Sequence, residues 1–196
     1  MIAPRITQLM SRLDVAALVG VVVLACAQIM PTQARASQRD AWTEAARVSG
    51  VPIRILQGIA LVESGKKWSD GLYRPWPWTL NSPARGAQFF TSREEAERGL
   101  KELLSQGVRN VDIGLMQINC RYHCDRVKAP TDLFDPKVNL QVASAILSEV
   151  RLQRPDLAGA VGAYHAGLHP SREVRSVWYQ NEVARRVRSL TATKQS

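Results

Sequence analysis

The stretch from Val51 to Gly65, VPIRILQGIALVESG, constrains this chain most, because an apolar helical pattern there runs directly into a carboxylate. Pro52 suits a first helical turn, where its missing N–H costs nothing. Ile53, Leu56, Ile59, Ala60 and Glu63 then fall at the spacing of one helix face. Glu63 therefore points where its apolar neighbours point. Carboxylates are seldom buried unless paired, and an apolar surrounding favours the protonated carboxyl that general acid catalysis requires. Two readings follow: an acid held at a cleft, or a carboxylate that escapes to solvent at the helix end or pairs with Lys66 or Lys67.

The first forty residues have a different character. Arg5 and Arg12 precede an uninterrupted apolar run from Val15 to Ala27, which at about 1.5 Å per residue is too short for a hydrocarbon core of about 30 Å. Ala34-Arg35-Ala36 follows as a small-x-small cleavage site. A basic start, a short apolar run and such a site together predict a secretory signal at residues 1–36, cleaved after Ala36, and hence a periplasmic protein. The alternatives are an uncleaved anchor extended through Ile29 and Met30, the one route by which this chain would engage a membrane, and a lipoprotein modified at Cys26.

Export changes how charge and cysteine read. Removal of residues 1–36 takes away three Arg and one Asp, leaving 23 basic and 16 acidic side chains, a net charge of +7. That balance suits an anionic polymer. No nucleic-acid motif accompanies it, so nucleic acid is not expected as a partner, whereas the acidic peptide stems of a bacterial cell wall are what an exported protein meets first. Cys120 and Cys124 remain as an even pair in an oxidising compartment and are expected to form a disulfide; a metal site with His123 in CRYHC is the rival, without a second ligand cluster elsewhere.

Along residues 37–196 the patterns predict one domain of about 150 ordered residues, enough for a proper core. A short amphipathic helix from Ser37 to Val48 stops at Gly50 and is followed at once by the helix of Glu63. The segment from Lys66 to Arg85 carries Trp68, Tyr73, Trp76 and Trp78 among Pro75, Pro77 and Gly71. Two prolines exclude a helix interior and a central strand, so Trp76 to Leu80 is expected as an edge strand, Asn81 to Arg85 as a turn and Gly86 to Phe90 as the partner strand. The aromatic rings suit either the wall of a sugar-binding cleft or a satellite core. Ser92 and Glu95 have the spacing of a capping box, opening a helix that Gly107 ends. VDIGLMQIN, Val111 to Asn119, is expected to be extended, with Gly114 where the backbone turns or is closely approached. Asp135-Pro136 opens a helix carried to about Arg154, Leu157 to Ala166 is a helix of small residues able to pack closely, and a basic helix from about Arg172 to Leu190 leaves a polar tail expected to be disordered.

Three stretches then stand in order: Glu63-Ser64-Gly65 at a helix end, Gly114-Leu115-Met116-Gln117-Ile118 on an extended segment, and Ala163-Tyr164-His165-Ala166-Gly167 closing the small-residue helix. Over roughly residues 40 to 190 this resembles the soluble-lytic-transglycosylase (SLT) domain, whose members cleave peptidoglycan. The tryptophan hairpin resembles an insertion in cell-wall enzymes of conjugative elements and specialised secretion systems, which implies such a machine as a partner. The resemblance implies a mainly α, lysozyme-like (α+β) fold with a small β-hairpin insertion. It also implies Glu63 as the catalytic residue and a sugar cleft lined by Met116, Gln117 and Tyr164, with Ser64 and Asn119 beside them. Trp76 and Trp78 are expected to contact glycan. The sequence departs from the family at His165, where Asn is usual; His retains one hydrogen-bond donor and is placed with the substrate-binding residues. The family's tyrosine from the last helix is matched to Tyr179.

Glycosidic cleavage needs a proton for the leaving oxygen and a way to hold oxocarbenium-like charge, usually from two carboxylates. Asp112 and Asp70 lie near the motifs but match no family position. With one carboxylate, the substrate's N-acetyl group assists, Glu63 protonates the departing GlcNAc oxygen, and the carboxylate takes the proton of the muramic C6 hydroxyl as it closes on C1. The implied product is a 1,6-anhydro sugar made without water, cofactor or metal. A hydrolytic muramidase on the same fold and a non-catalytic peptidoglycan-binding scaffold are the alternatives.

Overall fold

A computed structural model describes residues 39–192, with backbone only for the last two. The expected signal at residues 1–36 and the tail beyond Ala192 lie outside the described residues. The architecture is mainly α with small antiparallel sheets, the lysozyme-like arrangement expected from the sequence.

Helix α1 (Arg39–Ser49) meets α2 (Ile53–Ser64) at 105°. Pro52 is the cap residue, φ −56° and ψ 142°, one position before the helix, and its carbonyl accepts from Ile55 and Leu56. The buried stripe consequently begins at Leu56 and continues through Ile59 and Ala60, while Ile53 stays exposed. Directly after α2, β1 (Gly65–Lys67) pairs with β2 (Tyr73–Pro75) in a hairpin the sequence did not announce. Gly65, Lys66 and Lys67 carry no alternating apolar pattern, and the pairing rests on backbone hydrogen bonds together with the Tyr73 hydroxyl, which donates to Gly65 O (2.7 Å).

The tryptophan segment is placed differently from expectation. The strand begins at Thr79, not Trp76: β3 (Thr79–Ser82) pairs with β4 (Gly86–Phe89) through Thr79↔Phe89 to Ser82↔Gly86. Trp76 N–H donates to Ser64 O (2.9 Å), carrying the β1–β2 pairing one bond further, and Trp78 O accepts from Phe90 N–H (3.0 Å), carrying β3–β4 likewise, so the chain passes from one hairpin to the other at Pro77, which has no N–H to give. β3 also pairs with β5 (Asp112–Ile113), which pairs with β6 (Ile118–Asn119), giving the order β4-β3-β5-β6, so β3 is an inner strand and not the edge strand expected, and it takes in Asn81 and Ser82, which were expected in the turn.

Between β4 and β5 in the chain lies α3 (Arg93–Ser105), whose Ser92 cap accepts from Glu95 N (3.2 Å). Glu95 reaches back to Thr91, not Ser92, accepting from its backbone N–H (3.1 Å) and hydroxyl (2.6 Å). α4 (Cys120–His123) is one turn, and the expected disulfide joins Cys120 to Cys124. α5 (Pro136–Gln153) starts as expected at Asp135, which accepts from Lys137 N and Val138 N. α6 (Leu157–Ala166) and α7 (Glu173–Ala192) follow. Gly162 permits their contact: a Cβ there would stand 2.1 Å from Ser176 Oγ and 2.8 Å from Ser176 O. One core of buried side chains, including Leu56, Ile59, Leu100, Ile113, Met116, Phe134, Leu147 and Tyr179, spans all these layers.

Candidate active site

Glu63 sits in the last turn of α2 with its side chain 13% exposed, sheltered but open to a ligand. Its Oε1 accepts from the Tyr179 hydroxyl at 2.5 Å, across 116 residues of sequence. Tyr179 is fully buried on α7, and burial, followed by the charge of Glu63, pushes its hydroxyl well above the ordinary range. It therefore stays a donor whether Glu63 is protonated or not. With Oε1 receiving that hydrogen bond, Oε2 is the oxygen left to carry a transferable proton. His165 adds a second group: its ring stacks on Tyr179 with centroids 4.5 Å apart and planes 3° apart, and its Nδ1 lies 3.8 Å from Glu63 Oε1.

The β5–β6 turn is fastened to the same point. Gly114 has φ +78°, and a Cβ there would meet Leu133 O at 2.4 Å and Asn139 Nδ2 at 2.5 Å, so no other residue fits. Buried Asn139 on α5 explains the crowding: its Nδ2 donates to Ile113 O (2.9 Å) and Leu133 O (2.7 Å), and its Oδ1 accepts from Met116 N (2.8 Å). On the opposite side, the Ser64 hydroxyl donates to Leu115 O (2.6 Å) and Tyr164 to Met116 O (2.8 Å). Burial, then the charges of Glu63 and Asp112, also raises the Tyr164 hydroxyl well above its usual range.

These contacts refine the roles expected from sequence. The Met116 side chain lies in the core and only its peptide groups reach the site; Ser64 is likewise buried and clamps α2 to the turn. Gln117, at φ +49°, closes the turn by donating from Nε2 to Gly114 O (2.9 Å). Asn119 caps α4 through Arg121 N (3.0 Å) and donates from Nδ2 to Asp112 Oδ1 and Asn110 Oδ1, both 2.8 Å.

Asp112 is the group whose position the sequence undervalued. It is partly buried on β5, hydrogen-bonded by Asn119 and by Asn81 Nδ2 (3.3 Å). Desolvation raises its carboxyl above the ordinary range; the Asn119 hydrogen bond opposes this, and the negative charge of Glu63 adds to it. The signal for Asn139 was equally plain in retrospect: an amide inside the apolar run Val138 to Leu147, one helical turn after Asp135.

Trp76 is joined to Ser64 through its backbone N–H (2.9 Å to Ser64 O). Trp68, Trp76 and Trp78 form an edge-to-face chain, with ring centroids 5.0 and 5.6 Å apart, and the Lys66 ammonium lies 4.5 Å over Trp76. Trp76 Nε1 donates to Phe90 O (2.8 Å), and Trp78 packs against the core. Beyond Asn119, a groove of about 800 Å³ is lined by Arg109, Asn110, Arg121 and the disulfide.

Comparison with known protein families accounts for part of this constellation. Residues 90–184 match the Transglycosylase SLT domain. The SLT match covers a little under half of the chain and supports that family, whose members are lytic transglycosylases acting on peptidoglycan. It includes Asp112, Met116, Gln117, Asn119, Tyr164, His165 and Tyr179, and leaves Glu63, Ser64, Trp76 and Trp78 outside. Neither the curated proteins nor the solved structures contain a match to the chain. Folding is what joins the two parts: Tyr179, within the SLT match, holds Glu63, which precedes it by more than a hundred residues.

Proposed function

We propose that this protein is an exported peptidoglycan lytic transglycosylase that cleaves the β-1,4 bond between MurNAc and GlcNAc and leaves a 1,6-anhydromuramic end. The observation that carries the reading is the 2.5 Å hydrogen bond from Tyr179 to Glu63 Oε1, which joins the SLT-matched half of the chain to the E-S-G carboxylate. Glu63 delivers the proton from Oε2 to the departing GlcNAc oxygen as the C1–O bond breaks. The N-acetyl group of the muramic residue holds the charge at C1. Glu63, now a carboxylate, takes the proton from the C6 hydroxyl as its oxygen bonds to C1. The acid is regenerated and no water is consumed. The basic groove at Arg109 and Arg121 suits acidic peptide stems, and a role in opening the wall for a conjugation or secretion apparatus fits the tryptophan hairpin.

A specific observation favours a second reading. Asp112, partly buried on β5 and held there by Asn119 and Asn81, is the candidate for the second carboxylate of a hydrolytic muramidase. The experiment is digestion of purified sacculi followed by mass spectrometry. A transglycosylase gives muropeptides about 18 mass units lighter than the hydrolytic products, because the C6 hydroxyl replaces water in the acid-base step. Full-mass reducing ends would establish the muramidase instead. Glu63→Gln should fold, bind sacculi and lose about 10²- to 10⁴-fold in release; undiminished release would remove Glu63 from the mechanism.

A further inference from the structure

Aromatic surface is also present on the other side of Glu63. Trp178 on α7 is 55% exposed, and its ring lies 6.2 Å from that of His165, tilted by 53°. The Glu63 and His165 side chains are 13% and 34% exposed, and Trp178 beyond them is an exposed residue. Val177, 45% exposed, and Val174, 86% exposed and one helical turn earlier, continue the apolar surface. Large apolar side chains are rarely left in water as a contiguous strip unless something covers them.

We propose that Trp178 is a sugar-stacking platform at the α6–α7 side of the cleft, receiving the C–H face of a pyranose of the glycan strand whose neighbouring bond Glu63 cleaves. The inference rests on the glycan-cleaving reading above and adds a binding subsite to it. Three features select a carbohydrate over an apolar partner. The indole is one ring removed from Glu63, with His165 between them, which puts it within the span of a glycan strand whose scissile bond lies at Glu63. Its neighbours are a hydrogen-bonding imidazole and aliphatic side chains, the mixture that an amphiphilic sugar ring needs, with hydroxyls at its edge and C–H groups on its face. Its position also separates it from the β1–β2 hairpin, whose Tyr73 meets α7 at Arg186, the guanidinium lying 4.7 Å over the ring. Arg186 is eight residues beyond Trp178, about 12 Å along the helix. The two aromatic patches therefore serve different stretches of one strand.

Trp178 is on the surface, so its replacement tests binding with little effect on folding. Sacculus digestion by Trp178→Ala should show an apparent KM about 3- to 10-fold higher, the worth of one aromatic stacking contact, with kcat changed less. Trp178→Phe should recover most of the loss, and both variants should melt within a degree or two of the wild type. In the Glu63→Gln background, calorimetric titration with chitotetraose should show the same loss for Trp178→Ala. Cleavage by the wild type with an unchanged KM and unchanged chitotetraose affinity in Trp178→Ala would overturn the subsite alone. No release of fragments by the wild type would overturn the glycan-cleaving reading, and the subsite with it.

Discussion

Replacement of Tyr179 by Phe removes one oxygen and leaves the fully buried ring in place, which isolates the hydrogen bond to Glu63. Its effect follows from how that bond changes during reaction. A hydroxyl donating to a neutral carboxyl contributes about 0.5–1.5 kcal/mol, and to a carboxylate about 1.5–3 kcal/mol. In the proposed mechanism Glu63 gives up its proton, and only the difference would accelerate that step, because binding that is equal in ground and transition states changes no rate. That difference is about 1–1.5 kcal/mol, or about 5- to 13-fold in kcat. Stability should change little, since Phe fills the same volume and Glu63, with 13% of its side chain exposed, finds water in place of the phenol. The assay is initial release of soluble muropeptides from sacculi, with thermal unfolding as control. A change in kcat below twofold, or a loss of activity matched by a loss of fold, would refute the argument that Tyr179 stabilises the carboxylate as it forms.

Two further predictions concern the platform beneath the site. Asn139→Leu should orphan Met116 N–H, Ile113 O and Leu133 O, each buried group costing about 1–3 kcal/mol, so urea unfolding should show several kcal/mol lost; less than about 1 kcal/mol would mean the turn is held otherwise. For Asp112, burial raises the folded-state pKa, so its favourable contribution is full below the unfolded value of about 3.9 and is lost as pH rises through the folded value. Asp112→Asn, which does not titrate, should gain thermal stability relative to wild type as pH increases from about 4 to 7, and a constant or reversed difference would contradict the desolvation argument.

How much of this was readable from sequence depends on whether the determining interaction is local. Helix starts set by neighbouring residues, Ser92 and Asp135 above all, stand where the pattern places them, because an N-cap contacts groups only two or three residues away. The hairpins were less legible. Two prolines do not say where strands begin or end: Pro75 closes β2 opposite Gly65, and β3 starts at Thr79, where Phe89 of β4 stands opposite and Ile113 of β5 pairs with the next residue. The lone Gly65–Lys67 strand carries no apolar alternation at all. At the site, Glu63, Tyr164, His165 and Tyr179 were found as residue types in motifs, but whether they meet was not readable, since the contact between α2 and α7 spans most of the domain.

Met116 shows most clearly why a motif and a site differ. Within Gly-Leu-Met-Gln it resembles a cleft-lining side chain, yet it is buried, and the chemistry of the turn resides in its peptide groups, held by Asn139 on one side and Tyr164 on the other. The turn needs Gly114 for its left-handed backbone and lack of Cβ, an apolar anchor at Met116, and Gln117 to bond back to Gly114 O. These residues hold a shape against which Ser64 fastens the end of α2, so that Glu63 emerges in a fixed direction. Acid-base catalysis depends on that direction, because a proton is transferred usefully only over about a hydrogen bond's length. On this view the Gly-Leu-Met-Gln segment contributes to catalysis by positioning Glu63, and substitutions that preserve its backbone geometry should spare activity even where they change its side chains.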